Sequence, residues 1–115
     1  MIRDQEIANA GAWLVLLGAS ILEMVWAIAL KQADGFTRFW PGVIGIVAAA
    51  ASFYLLALAL KGLPVGTAYA VWTGIGAAGT AALGIVLLGE PLTLLRVTSI
   101  ALVIIGIAGL RLSSP

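Results

Sequence analysis

The chain alternates between long apolar stretches and short polar breaks. Four apolar runs stand out: about 12–30, closed by Lys31; about 39–60, closed by Lys61 and Gly62; about 65–88, closed by Gly89, Glu90 and Pro91; and about 93–110, closed by Arg111. A helix needs roughly 20 residues to cross a hydrocarbon core ~30 Å thick, and these runs match that length. Membrane strands would be shorter and would alternate polar with apolar positions. Backbone groups in lipid must be satisfied within their own segment, so each run predicts an α-helix. The breaks are "KQADGFTRFWP", turning at Asp34 and Gly35 with Trp40 and Pro41 at the next membrane surface, then "KGLP", where Pro64 opens the third helix, and "GEPL". They leave almost nothing outside the bilayer. The pattern predicts one all-α integral membrane domain of four transmembrane helices over residues 12–111, with a polar N-terminal lead at 1–11 and a short polar tail at 112–115. The lead mixes Arg3 with Asp4 and Glu6, unlike the purely basic start of a cleaved signal peptide.

Composition sharpens this picture. Of 115 residues 63% are hydrophobic and only 10% charged, more apolar surface than a soluble domain of this length could hide. Cysteine and histidine are both absent, which excludes disulfides, thiolate metal sites, zinc sites and histidine catalysis; neither metal nor cofactor is expected. A net charge of +1 gives no footing for nucleic acid.

Charge placement bears on orientation. With four spans, Arg3, Lys61 and Arg111 share one membrane side, while Lys31, Arg38 and Arg96 share the other. Basic residues normally set which side faces the cytoplasm, and here the two sides tie. A chain without orientation bias can insert both ways, and two opposed copies could pair as an antiparallel dimer. The plainer reading is that six charges are too few to count.

The candidate chemistry centres on Glu23, inside "ILEMVWAIALK". It is the only acidic residue within any of the four runs; Asp4, Glu6, Asp34 and Glu90 lie in ends or breaks. An ionised acid at that depth costs ~2.5–3.5 kcal/mol even on lenient insertion scales, and desolvation favours its neutral form. A structural acid, protonated and hydrogen-bonded between helices, would account for it. Intramembrane ionisable groups, however, usually mark an ion or substrate path. On its helix face stand Ala19, Ser20, Trp26 and Ala27. Ser20 and Trp26 could donate hydrogen bonds to the carboxylate, and Trp26 offers a π face to a cation. By itself Trp26 would be read as helix packing.

The second run adds Ser52 near mid-membrane, where a lone serine commonly bonds its own i−4 carbonyl. The third adds Tyr69 and Trp72, one turn apart, with rings that could wall a cation and polar tips that want partners. Residues 74–79 match G-x-G-x-x-G, but no strand precedes them and they lie inside a span, so a dinucleotide reading fails. Gly74, Gly76 and Gly79 read instead as helix packing and a flexible point. In the fourth run Ser99, Gly106 and Gly109 form a small-residue stripe suited to close packing, plausibly between subunits. A carboxylate that holds a proton or a cation, but never both, couples their movements in opposite directions. Four short helices can hardly enclose a cavity open to both sides, whereas a dimer supplies eight.

With Glu23, "GFTR" at 35–38, "ASFYLL" at 51–56, "LPVGTAYAVWTGIGA" at 63–77 and "GEPL", the chain resembles the small multidrug resistance (SMR) family of four-helix, proton-coupled cation exporters, over about 12–111. "EMVWAIALK" at 23–31 is similar to its guanidinium-exporting subtype, whereas the polyspecific drug-exporting subtype typically has a small residue where Trp26 stands. The resemblance implies a multi-pass protein of the bacterial inner membrane. It implies an antiparallel, dual-topology homodimer whose two Glu23 residues bind protons or guanidinium in turn, with small substituted guanidines as further substrates. Trp26, Ser52, Tyr69 and Trp72 would line that site. Ser20 departs from the glycine of the subtype and could add a hydrogen bond to Glu23 or narrow the pocket. Three other readings are open: a polyspecific exporter of quaternary ammonium and lipophilic cations, a non-transporting assembly subunit, and one half of a heterodimeric pair.

Overall fold

The computed structural model describes the backbone of residues 2–113 and the side chains from residue 10 onward. It contains four helices: α1 (Ile2–Gln32), α2 (Phe39–Ala59), α3 (Val65–Leu88) and α4 (Leu94–Ser113). All four are long and apolar enough to cross a membrane, α1 through its segment Ala10–Gln32. The expected spans are therefore present, with shifts at their ends. The backbone is helical from Ile2 without interruption, so the polar lead continues α1; the side chains of 1–9 lie outside the described residues. At the other end α4 runs through Arg111 to Ser113, taking in half of the expected tail. Ser114 and Pro115 also lie outside the described residues.

Local chemistry explains the boundaries. Pro64, extended at φ −61° and ψ 143°, precedes α3, where its missing N–H costs nothing. Gly89 ends α3 in the left-handed region at φ +68°, and the Glu90 N–H donates back to Gly84 O at 3.1 Å. At the start of α4, Thr93 Oγ1 accepts the Arg96 N–H at 3.1 Å, satisfying one of the free amides of the first turn. The first break turns through three successive left-handed residues, Asp34, Gly35 and Phe36. The turn expected at Asp34 and Gly35 is thus one residue longer, and the Arg38 N–H closes it onto Ala33 O at 3.1 Å.

The helices stand in the spatial order α2, α1, α3, α4. Helix α1 packs against both α2 and α3, whereas the backbone of α4 approaches only α3 and reaches α1 through the Arg111 side chain over Trp13. The Cα extents of 51 × 34 × 18 Å describe a slab, in which α2 also reaches α3. Its core gathers Leu16, Ala19, Leu56, Ala59, Ala68, Val71 and Trp72 where α1, α2 and α3 meet. Lipid removes most of the hydrophobic drive between helices, so close van der Waals packing must hold them. Small residues provide it: Ala19, Ala59 and Ala68 are fully buried, and Gly45 of α2 lies under the Leu30 side chain of α1. Helix α4 has no buried residue among those described.

Replacing Gly89 with alanine forces a side chain into the left-handed region and is expected to cost about 1 kcal/mol. Gly66→Ala, placed in open space with ordinary backbone angles, should leave stability unchanged or slightly raised. Thermal unfolding of the purified protein in detergent checks both.

Candidate functional site

The residues singled out from the sequence fall into two groups that meet at α3. The first is a hydrogen-bonded lock between three helices. Ser52 Oγ of α2 donates to the backbone carbonyl of Ala19 on α1 at 2.7 Å, and the Trp72 indole N–H of α3 donates to Ser52 Oγ at 3.0 Å. Ser52 is fully buried and Trp72 nearly so. Ser52 does not make the i−4 bond common for a lone membrane serine; its hydroxyl spans to α1 where the small Ala19 lets the two helices approach closely. Both hydrogen-bonding roles of the hydroxyl are filled, so Ser52 is not a direct partner of Glu23 here.

Rings extend from this lock. Tyr69 lies 5.6 Å from Trp72, centroid to centroid, and Phe53 lies 5.4 Å from it on the α2 side. Both pairs are tilted, as aromatic quadrupoles prefer. Trp72 is thereby fixed by one hydrogen bond and two ring contacts, while Tyr69 remains 56% exposed. Phe53 is an addition to the expected set. Its position next to Ser52 in "ASFYLL" was the available signal, but nothing in the sequence shows which ring it would meet.

The second group surrounds Glu23, one turn beyond Ala19 on α1. Its carboxyl rests directly on the backbone of α3 at Gly76, where any Cβ would overlap it. Gly76 is therefore a seat for the acid. The neighbouring glycines have their own occupants: Gly79 receives the Met24 side chain, and Gly74 receives Ile107 of α4, whose Cδ1 would lie 3.0 Å from an added Cβ. Each of the three glycines meets a different side chain.

The expected donors do not reach the acid. Ser20 Oγ, fully buried, donates to Leu16 O at 2.9 Å, the ordinary i−4 bond of a helical serine. Trp26 Nε1 is buried with no acceptor, and Glu23 Oε1 is buried with no donor. A donor and an acceptor that are both unsatisfied, one turn apart in an apolar setting, are costly groups, and such groups concentrate where ligands bind. Glu23 and Trp26 thus stand one turn apart on α1, and Tyr69 and Trp72 one turn apart on α3, with Gly76 one turn from Trp72 and two from Tyr69.

Ser99, Gly106 and Gly109 stand apart from this seam. Ser99 Oγ bonds Leu95 O of its own helix at 2.7 Å, and a Cβ at Gly106 or Gly109 would meet nothing within 4 Å. Ser99 borders a cleft against Ala77, Ala78 and Ala81 of α3, while Gly106 and Gly109 face open space among the described residues. At the loop end, Glu90 pairs with Arg96, and the Glu90 carboxyl fills the space left by Gly84. No group of histidine, cysteine, aspartate or glutamate able to hold a metal occurs among the described residues.

Comparison with known proteins follows the same span. A family model described as Small Multidrug Resistance protein matches residues 11–103. A guanidinium exporter of Yersinia pseudotuberculosis is 59% identical over 103 residues, covering 90% of this chain and 99% of that protein. The guanidinium exporter of Escherichia coli strain K12 is 55% identical, covering 90% and 98%. That of Proteus vulgaris is 50% identical, covering 90% and 99%.

Ser52→Ala leaves the Trp72 N–H and the Ala19 carbonyl buried without their partner. It is expected to cost about 1–3 kcal/mol. Ser20→Ala breaks only a bond within one helix turn and should cost much less. Urea or thermal unfolding in detergent, followed by tryptophan fluorescence, separates the two.

Proposed function

The chain belongs to the small multidrug resistance family, and from that membership we propose that it is a proton-coupled antiporter exporting guanidinium, with Glu23 as the shared binding group. The observation that carries this reading is the Glu23 carboxyl, seated on bare backbone at Gly76 with Oε1 buried and unpaired. A carboxylate in that position must take a proton or a cation to be tolerated. When it holds a proton it has no charge to attract guanidinium, and when it holds guanidinium it has released its proton. Exchange of the two drives export against a gradient. The protein is read as a multi-pass protein of the bacterial inner membrane.

Guanidinium is planar and presents paired N–H donors that match the two oxygens of a carboxylate. Trp26, Tyr69 and Trp72 supply flat walls for such a cation. Trp72 is already committed to Ser52 through its N–H, so it offers a rigid ring. A rigid, aromatic, hydrogen-bonding site favours guanidinium and small substituted guanidines over bulky lipophilic cations. The names of the related proteins point the same way.

Transport also needs an enclosed path, and a slab with an 18 Å short dimension does not provide one. An antiparallel homodimer does. The unburied α4, with its open stripe at Ser99, Gly106 and Gly109, supports close packing against a second copy. The three-to-three tie of basic residues supports insertion in both orientations. The uninterrupted α3 carries a flexible point at Gly74, Gly76 and Gly79 that would absorb alternation between the two openings.

Reconstitution into liposomes tests this. A guanidinium gradient should drive a proton-coupled current in the wild type, and bulky quaternary ammonium ions should give almost none. Glu23→Gln should abolish the guanidinium current. Strong current from the bulky ions would instead identify a polyspecific exporter, and silence with every cation from folded protein would end the transport reading. Gly76→Ala displaces the carboxyl from its seat and should reduce transport at least tenfold. Gly74→Ala, whose Cβ would meet only side-chain carbons of Ile107 and Val103 at 3.0 Å or more, should be much milder.

A further inference from the structure

A second feature adjoins the α1–α3 seam on the side of α4. Between α1, α3 and α4 runs a groove of about 560 Å³ lined by Met24, Ile75, Ala82, Ile100, Ile104 and Ile107, with Trp13 and Arg111 at one end. On α3, Ile75 and Ala82 lie about 100–120° around the helix from Gly76, the seat of Glu23, so the groove opens beside that seat rather than onto it. Apart from its Trp13 and Arg111 end, the lining is apolar. A smaller groove beside it shares Trp13, Ile75 and Arg111. Trp13 and Arg111 therefore stand at the junction of two apolar channels.

That end is built from donors. The Arg111 guanidinium lies over the Trp13 ring, 5.0 Å from its centroid. Stacking uses the face of the guanidinium and leaves N–H groups at its edge. The sole ion pair among the described residues is Glu90 with Arg96, so no described carboxylate neutralises Arg111. Trp13 Nε1 is buried with no acceptor. A cation and an orphaned N–H donor at the mouth of an apolar groove match a ligand with an anionic, acceptor-rich head and an apolar tail.

The dimensions fit one leaflet. From Ile100 to Arg111 the groove follows α4 for ~16 Å, about half the ~30 Å thickness of a hydrocarbon core. Arg111 then sits at headgroup depth and Ile100 near the midplane. We propose that this groove is a binding site for an anionic glycerophospholipid, its acyl chain lying between α3 and α4 and its phosphodiester held by Arg111 and the Trp13 N–H. The phosphodiester supplies the acceptors that both groups need. In a zwitterionic headgroup the attached ammonium cancels part of the attraction to Arg111. The site stands on its own geometry and does not depend on the transported substrate.

Native mass spectrometry of the purified protein in detergent provides the test, with phosphatidylglycerol and phosphatidylcholine of identical chains as probes. Phosphatidylglycerol should bind about fivefold more tightly, the worth of one basic side chain near an anionic lipid surface. sn-Glycerol 3-phosphate, which has the anion without the chains, should not be retained; retention equal to the lipid would overturn the acyl-chain part of the site. Arg111→Gln should remove the preference, and Trp13→Phe, which keeps the ring and loses the N–H, should lower it. Lys61→Gln, at the same membrane surface but outside the groove, should preserve it. An equal preference in wild type and Arg111→Gln would overturn the proposal. Should Arg111→Gln not fold, Ala82→Phe fills the groove and should displace the lipid. If Ala82→Phe dissociates a dimer and leaves lipid binding unchanged, a second copy occupies the groove and the lipid site is refuted.

Discussion

A carboxyl group placed midway along a lipid-spanning helix must be sheltered by protein, and the seat of Glu23 on Gly76 meets that requirement. Lipid cannot solvate the acid, and a Cβ on the facing helix would push it away. The seam between α1 and α3 is therefore built around the absence of a side chain. One turn away, the bonds from Trp72 to Ser52 and from Ser52 to the Ala19 carbonyl fix the three inner helices against one another. Because the polar groups of this lock satisfy each other, those left over are few and informative. Glu23 Oε1 and Trp26 Nε1 are unpaired one turn apart on α1.

The rest of the architecture follows from keeping that seam accessible. The slab arrangement leaves Tyr69 and Phe53 exposed on their helices beside a buried Trp72. It also leaves α4 at the edge, without a buried residue among those described, attached to α3 and touching α1 through Arg111. Helix α4 is thus free to serve surfaces rather than the site: a small-residue stripe on one part, and a groove ending at Arg111 on another. Polar residues that looked unconnected along the chain divide cleanly between these duties.

The four helices were legible because apolar run length is a direct reading of bilayer thickness, and their ends were marked by Pro64 and Gly89, whose backbone preferences are strong. The polar lead could be read as a short interfacial helix, but its continuity with α1 back to Ile2 was not legible, since polar residues outside lipid carry no length signal. Glu23 was legible as the one acid inside a span. Its actual neighbours were not. Helix periodicity placed Ser20 and Trp26 on its face, but a serine hydroxyl reaches its own i−4 carbonyl at less cost than it reaches across to a side chain three residues on. Gly76 was read as one of three equivalent glycines, and only the pairing of α1 with α3 distinguishes it. Which residue of a facing helix meets the acid depends on helix register, which a single sequence does not encode locally. The same holds for Ser52, whose cross-helix bond depends on where α2 meets Ala19.

The claim at the centre is that a proton and a guanidinium ion compete for one carboxyl. Proton release on binding tests it most directly: guanidinium is added to purified wild-type protein in weakly buffered detergent solution, and a pH-sensitive dye reports the protons set free. The expected result is release that saturates with guanidinium, shrinks as the starting pH is raised and Glu23 is already ionised, and vanishes in Glu23→Gln. Guanidinium binding with no proton released at any starting pH, or undiminished release from Glu23→Gln, would contradict it.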